Sequence, residues 1–105
     1  MADWKQVGSE PEKELSSIGG MFELGKVKRM YDIVGLYPTK ITRLLGINQE
    51  RYAIKLSSPD KFSVSEILKM AYIFNIDPTL ILDVIQKEMG KTIANKIEIQ
   101  RKKLS

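Results

Sequence analysis

Between Pro38 and Lys61 the chain gathers side chains suited to reading a hydrogen-bonding surface. They are the amides Asn48 and Gln49, the guanidinium of Arg51, the hydroxyls of Thr39 and Ser57, and the cations Lys40, Arg43, Lys55 and Lys61. An amide carries a donor beside an acceptor, the pairing that N6 and N7 of adenine present; an arginine reaches guanine or phosphate, and a lysine meets phosphate. Asn48 has a second use that needs no ligand, because an asparagine ahead of a helix accepts from its first free N–H groups. Bond-breaking chemistry has far less to work with. The 105 residues include no Cys and no His, which removes zinc sites, thiol nucleophiles, Ser-His-Asp triads and histidine proton transfer. The acidic residues are scattered, and no pair has a recognisable catalytic spacing. The expectation is therefore a protein that is not an enzyme, with no catalytic residue, metal or cofactor.

These side chains depend on a stretch, Pro38 to Leu56, that reads as two short helices and a tight turn. Ile41, Leu44 and Leu45 mark the first helix, Gly46 breaks the pattern and Ile47 plugs the turn; Asn48 then caps a second helix bearing Tyr52 and Leu56. The second helix runs from about Gln49 to Ser57 and is stopped by Ser58-Pro59, because a residue before proline avoids helical angles. With Tyr52 and Leu56 turned inward, Ile54 falls outside, where it either meets a thymine methyl or signals a slightly wrong helix phase; the second reading is favoured.

Flanking elements follow from periodicity and caps. Leu24, Val27, Tyr31 and Val34 predict a first helix over Met21–Val34, ended by Gly35. Ser63 and Glu66 fit a capping box, with Phe62 and Ile67 as its staple, so the fourth helix starts at Ser63. Its apolar stripe of Val64, Ile67, Leu68, Ala71 and Phe74, widened by Met70, Tyr72 and Ile73, is broad enough for a nearly buried central helix. Asp77-Pro78 caps and starts a fifth, with Leu80, Ile81, Val84, Ile85 and Met89 inward and Gly90 placed to end it. Residues 91–104 can add a sixth, although the alternation in KIEIQ also permits a strand. Residues 1–20, rich in Gly, Ser and acidic groups, read as a flexible arm around Trp4, with a weakly supported short helix over Glu10–Ile18. The expected organisation is an arm over 1–20, a domain over 21–90 and a basic tail over 91–105.

Taken together, residues 23–89 resemble the lambda-repressor-like, or Xre-type, helix-turn-helix family. The likeness rests on ITRLLGIN for helix two and the turn, FSVSEILKMAYIFNID for the fourth helix and following loop, and PTLILDVI for the fifth. It implies an all-α, compact five-helix bundle that binds double-stranded DNA, with helix three in the major groove, as a transcriptional regulator. Asn48, Gln49 and Arg51 then face bases, while Thr39, Lys40, Arg43, Lys55, Ser57 and Lys61 hold the backbone. The resemblance further implies a homodimer on paired half-sites. The chain departs from the family pattern at Pro38, where glutamine is frequent, at Thr42, where alanine is usual, and at Leu56-Ser57-Ser58, which replaces a Glu-Asn-Gly ending.

Charge distribution agrees with that placement. The net charge is +4, yet residues 24–61 carry eight basic and three acidic side chains and residues 91–105 carry five and one, while the segments between and before them are acidic. The start MADWKQVGSEPEKE lacks the form of a secretory signal and no apolar run approaches a bilayer span, so a cytoplasmic protein with no membrane partner is expected. The competing reading is a protein-interaction module, or an antitoxin-like regulator that binds a partner protein. A continuous positive face joining Lys40, Arg51, Lys55 and Lys61 favours DNA; an apolar groove at helix three favours protein.

Overall fold

The computed structural model describes residues 13–104, and these form five α-helices with no strand among them. In order they are α1 (Lys13–Glu23), a 3-10 turn (Met30–Ile33), α2 (Pro38–Leu45), α3 (Gln49–Ser57), a second 3-10 turn (Pro59–Lys61), α4 (Val64–Phe74) and α5 (Pro78–Leu104). Helix α4 is the hub, packing on α1, α2 and α5, while α3 lies against both 3-10 turns and α2. Buried apolar side chains from every α-helix close one core, including Ile18, Ile41, Tyr52, Phe74 and Ile81.

The first helix lies earlier than its periodicity suggests. Leu15, Ile18, Gly19 and Phe22 form the buried face of α1, so residues 13–20 belong to the bundle rather than to an arm; the arm reading of residues 1–12, with Trp4, falls outside the described residues. The physical reason is Gly19, whose composition signals a loop but whose lack of a side chain is needed in a helix. A Cβ there would meet the Phe74 carbonyl oxygen at 2.1 Å and Ile76 Cγ2 at 2.8 Å. Close approach of α1 to the end of α4 also lets Phe22 and Phe74 stack, with centroids 6.0 Å apart. Leu24 is exposed, and the chain between α1 and α2 turns through Met30–Ile33, with Met30 and Ile33 buried at the three-residue spacing of a 3-10 helix. Glu88 of α5 accepts from the Met30 N–H at 3.0 Å, and Asp32 accepts from the Lys28 and Arg29 N–H groups, whose bonds hold its carboxyl below its ordinary pKa.

The caps read from sequence are present. Ser63 Oγ accepts from the Glu66 N–H at 3.0 Å and Glu66 accepts from the Ser63 N–H at 2.8 Å; Asp77 accepts from the Thr79 N–H at 2.9 Å. Two expectations about the later helices need correction. Helix α4 is not nearly buried: Ile67, Met70, Ala71 and Phe74 face the core, while Val64, Leu68 and Tyr72 are exposed. Gly90 does not end α5, which runs unbroken to Leu104, so there is neither a separate sixth helix nor a strand at KIEIQ. One interior glycine costs a helix only about 1 kcal/mol, and strong helix formers on both sides of Gly90 absorb it. None of the helices among the described residues is long and apolar enough to cross a membrane.

Candidate nucleic-acid interface

Helices α2 and α3 are joined by a turn whose geometry follows directly from its residues. Gly46 takes φ 77°, a left-handed value that glycine adopts without steric penalty, and its N–H and that of Ile47 both bond to the Thr42 carbonyl at 2.9 and 3.1 Å. Ile47 is half-buried beneath the turn. Thr42 is buried, and its hydroxyl donates to the Pro38 carbonyl at 2.8 Å, so a hydroxyl in the α2–α3 contact carries no unsatisfied bond.

The start of α3 is held by short polar contacts. Asn48 Oδ1 accepts from the Arg51 N–H at 2.7 Å, which realises the capping use of its amide. Gln49 Nε2 donates to Thr39 Oγ1 at 3.0 Å, bridging the first turns of α2 and α3 and fixing the amide at the exposed end of the pair. Arg51 and Arg43 are exposed nearby in sequence, as is Lys61 beyond the end of α3. Ile54 is 46% exposed, so the inward phase of Tyr52 and Leu56 is right and the preferred explanation, that Ile54 belongs to the core, is not. Tyr52 is buried with its hydroxyl lacking a hydrogen-bond partner, and burial raises the pKa of that group well above its ordinary value; it takes no part in the surface.

The end of α3 is built differently. Lys55 Nζ lies 2.6 and 2.7 Å from the two carboxylate oxygens of Glu66, and both side chains are largely covered. Burial pushes the Glu66 carboxyl up, but hydrogen bonds from Lys55 and Ser63, with the Lys55 charge, outweigh it and hold the pKa below its ordinary value. Lys40 pairs with Glu14 at 3.2 Å, and Ser57 donates to the Ala53 carbonyl at 3.1 Å. Of the four cations that would make one positive face, Lys40 and Lys55 thus sit on carboxylates, while Arg51 and Lys61 are exposed. The Lys55–Glu66 pair had no sequence signal beyond the cap role of Glu66, because its other partner is eleven residues away on another helix.

A second surface was not anticipated. Leu44 of α2 and Val64, Ser65, Leu68, Lys69, Tyr72 and Ile73 of α4 line an open groove of about 680 Å³. Its apolar character was visible as the breadth of the α4 stripe, but breadth alone does not distinguish a buried helix from one with an exposed apolar face. Among the described residues no cluster of Asp or Glu could hold a metal ion. No protein-family model, curated protein or solved structure matches this chain.

Proposed function

We propose that the chain binds double-stranded DNA in a sequence-specific manner as a transcriptional regulator, with the N-terminal turns of α3 entering the major groove. The observation that carries this reading is the α2–α3 unit: two short helices about a left-handed Gly46, with the Gln49 amide braced on Thr39 and Arg51 exposed two residues further on. Five α-helices around one core, with the short α2 and α3 in the middle of the chain, support the likeness to the lambda-repressor-like bundle, although α1 starts earlier and α5 ends later than the likeness implies. In this reading Gln49 and Arg51 read base edges, while Thr39, Arg43 and Lys61 position the backbone. Asn48 acts mainly as the cap that aims them. Lys40 and Lys55 reach phosphate only by leaving Glu14 and Glu66, and two copies of the unit meet paired half-sites.

Selection of bound duplexes from a random pool tests the proposal. A recovered consensus that Gln49→Ala degrades, with affinity falling steeply as salt rises, supports it; each phosphate contact adds about −0.9 to the log–log slope. Recovery of no preferred sequence sinks direct readout.

The α2–α4 groove favours a second reading, a protein-interaction module or a regulator that also binds a partner protein. Helix-in-groove recognition uses such an apolar trough. Loss of a co-purifying protein on Leu68→Lys, with DNA binding intact, would establish that role beside the first.

A further inference from the structure

We infer that residues 1–12 fill the chain's own α2–α4 groove, with the indole of Trp4 seated between Leu44 and Leu68. The inference goes beyond the DNA reading and does not rest on it. It makes the groove a self-covered surface, which a partner protein reaches only by displacing that segment.

The groove calls for an apolar occupant. Leu44, Val64 and Leu68 are exposed there, and with Tyr72 and Ile73 they wall a space of about 680 Å³. Troughs of this size hold a drug-sized molecule, so an indole and a neighbouring aliphatic side chain fit together. Chain geometry delivers residues 1–12 to it. Glu14, in the first turn of α1, pairs with Lys40 at 3.2 Å. Lys40 and Leu44 stand four residues apart on one face of α2, so α1 begins beside the groove, roughly one helical turn away. Trp4 precedes Lys13 by nine residues, which span up to about 30 Å when extended, whereas the α4 wall from Val64 to Tyr72 is about 12 Å long. The indole therefore reaches every part of the wall.

Composition and charge select the same segment. Trp4 is the single tryptophan of the chain, Val7 lies three residues from it, and an indole buries about 150–250 Å². The charged side chain among those lining the groove is a cation, Lys69, and residues 1–12 carry Asp3, Glu10 and Glu12 against Lys5. The other segment with a row of exposed apolar residues, 91–104, carries five basic side chains against Glu98, so a second copy offering it would set like charge beside Lys69. A short covalent tether also holds a segment at an effective concentration of about millimolar, so modest contacts suffice to keep the groove filled.

Trp4, as the single indole, reports its own surroundings. In the full chain its fluorescence should lie to the blue of free tryptophan and resist acrylamide. Leu68→Lys, at an exposed position, should shift the emission to the red and open it to the quencher with helix content kept, whereas Ile97→Lys on α5 should change neither. The chain has no cysteine, so Ser65→Cys carries a nitroxide at the groove alone, and it should quench Trp4 of the same chain. Labelled Ser65→Cys in a Trp4→Phe background, mixed with the wild type, should leave the emission unchanged. Wild-type emission like that of free tryptophan, a blue emission that Leu68→Lys does not move, or failure of the nitroxide to quench overturns the docking. Quenching in the mixture places a second copy's segment in the groove and overturns the intramolecular arrangement.

Discussion

The two ends of α3 are secured in opposite ways. At its start, Asn48 and Gln49 make neutral hydrogen bonds at the surface, to the Arg51 N–H and to Thr39. At its end, a largely covered ammonium, Lys55, is clasped by both oxygens of Glu66, which also closes the cap of α4. The exposed end keeps polar edges available to a ligand. The covered end ties the helix to the hub and has little left to offer one. On the proposed reading the far end of α3 holds the surface still by charge and the near end presents it by amides.

Removing each attachment should separate the two roles. Glu66→Ala should have the largest effect on folding, because it opens the capping box and strands a partly buried ammonium; about 2–3 kcal/mol should be lost in urea unfolding. Acid should act on the same attachment. The Glu66 carboxyl has a folded pKa below its ordinary value of 4.5, so its contribution is present above that value and is lost as pH falls through the lower folded one. Thermal melts should therefore hold steady from neutrality to about pH 5 and then decline, and Glu66→Gln should flatten that decline. Asn48→Ala should cost about 1 kcal/mol by removing a cap, with a matching loss of DNA affinity on the proposed reading. Gln49→Ala should change stability least, by less than about 0.5 kcal/mol in the same unfolding assay, while eroding the preference among duplexes. Equal stability losses for Gln49→Ala and Glu66→Ala would dissolve the contrast between the ends.

Much of this arrangement was legible in the chain because it is local. Ser63 with Glu66, Asp77 with Thr79, Gly46 with Thr42 and Asn48 with Arg51 are contacts between residues at most four apart, and short-range stereochemistry decides them. The limits of α2 and α3 follow from Pro38, Gly46 and Pro59 for the same reason. Gly19 misled for the opposite reason, since its role depends on the Phe74 backbone more than fifty residues away. Val64, Leu68 and Tyr72 read as core because hydrophobic spacing reports a face and not what covers it. Gly90 read as a stop although nothing left-handed follows it, and helix propensity on both sides carries α5 through.

By itself, then, the sequence determined the helical class, the α2–α3 turn, the caps and the side chains that could read a base edge, since these rest on backbone angles and hydrogen bonds within one or two turns. Only the tertiary structure decided which cations are spent on carboxylates, which apolar stripe stays uncovered and how far α5 extends. Those outcomes depend on which surfaces meet across the bundle, and residue type and spacing along one helix carry no record of the helix packed against it.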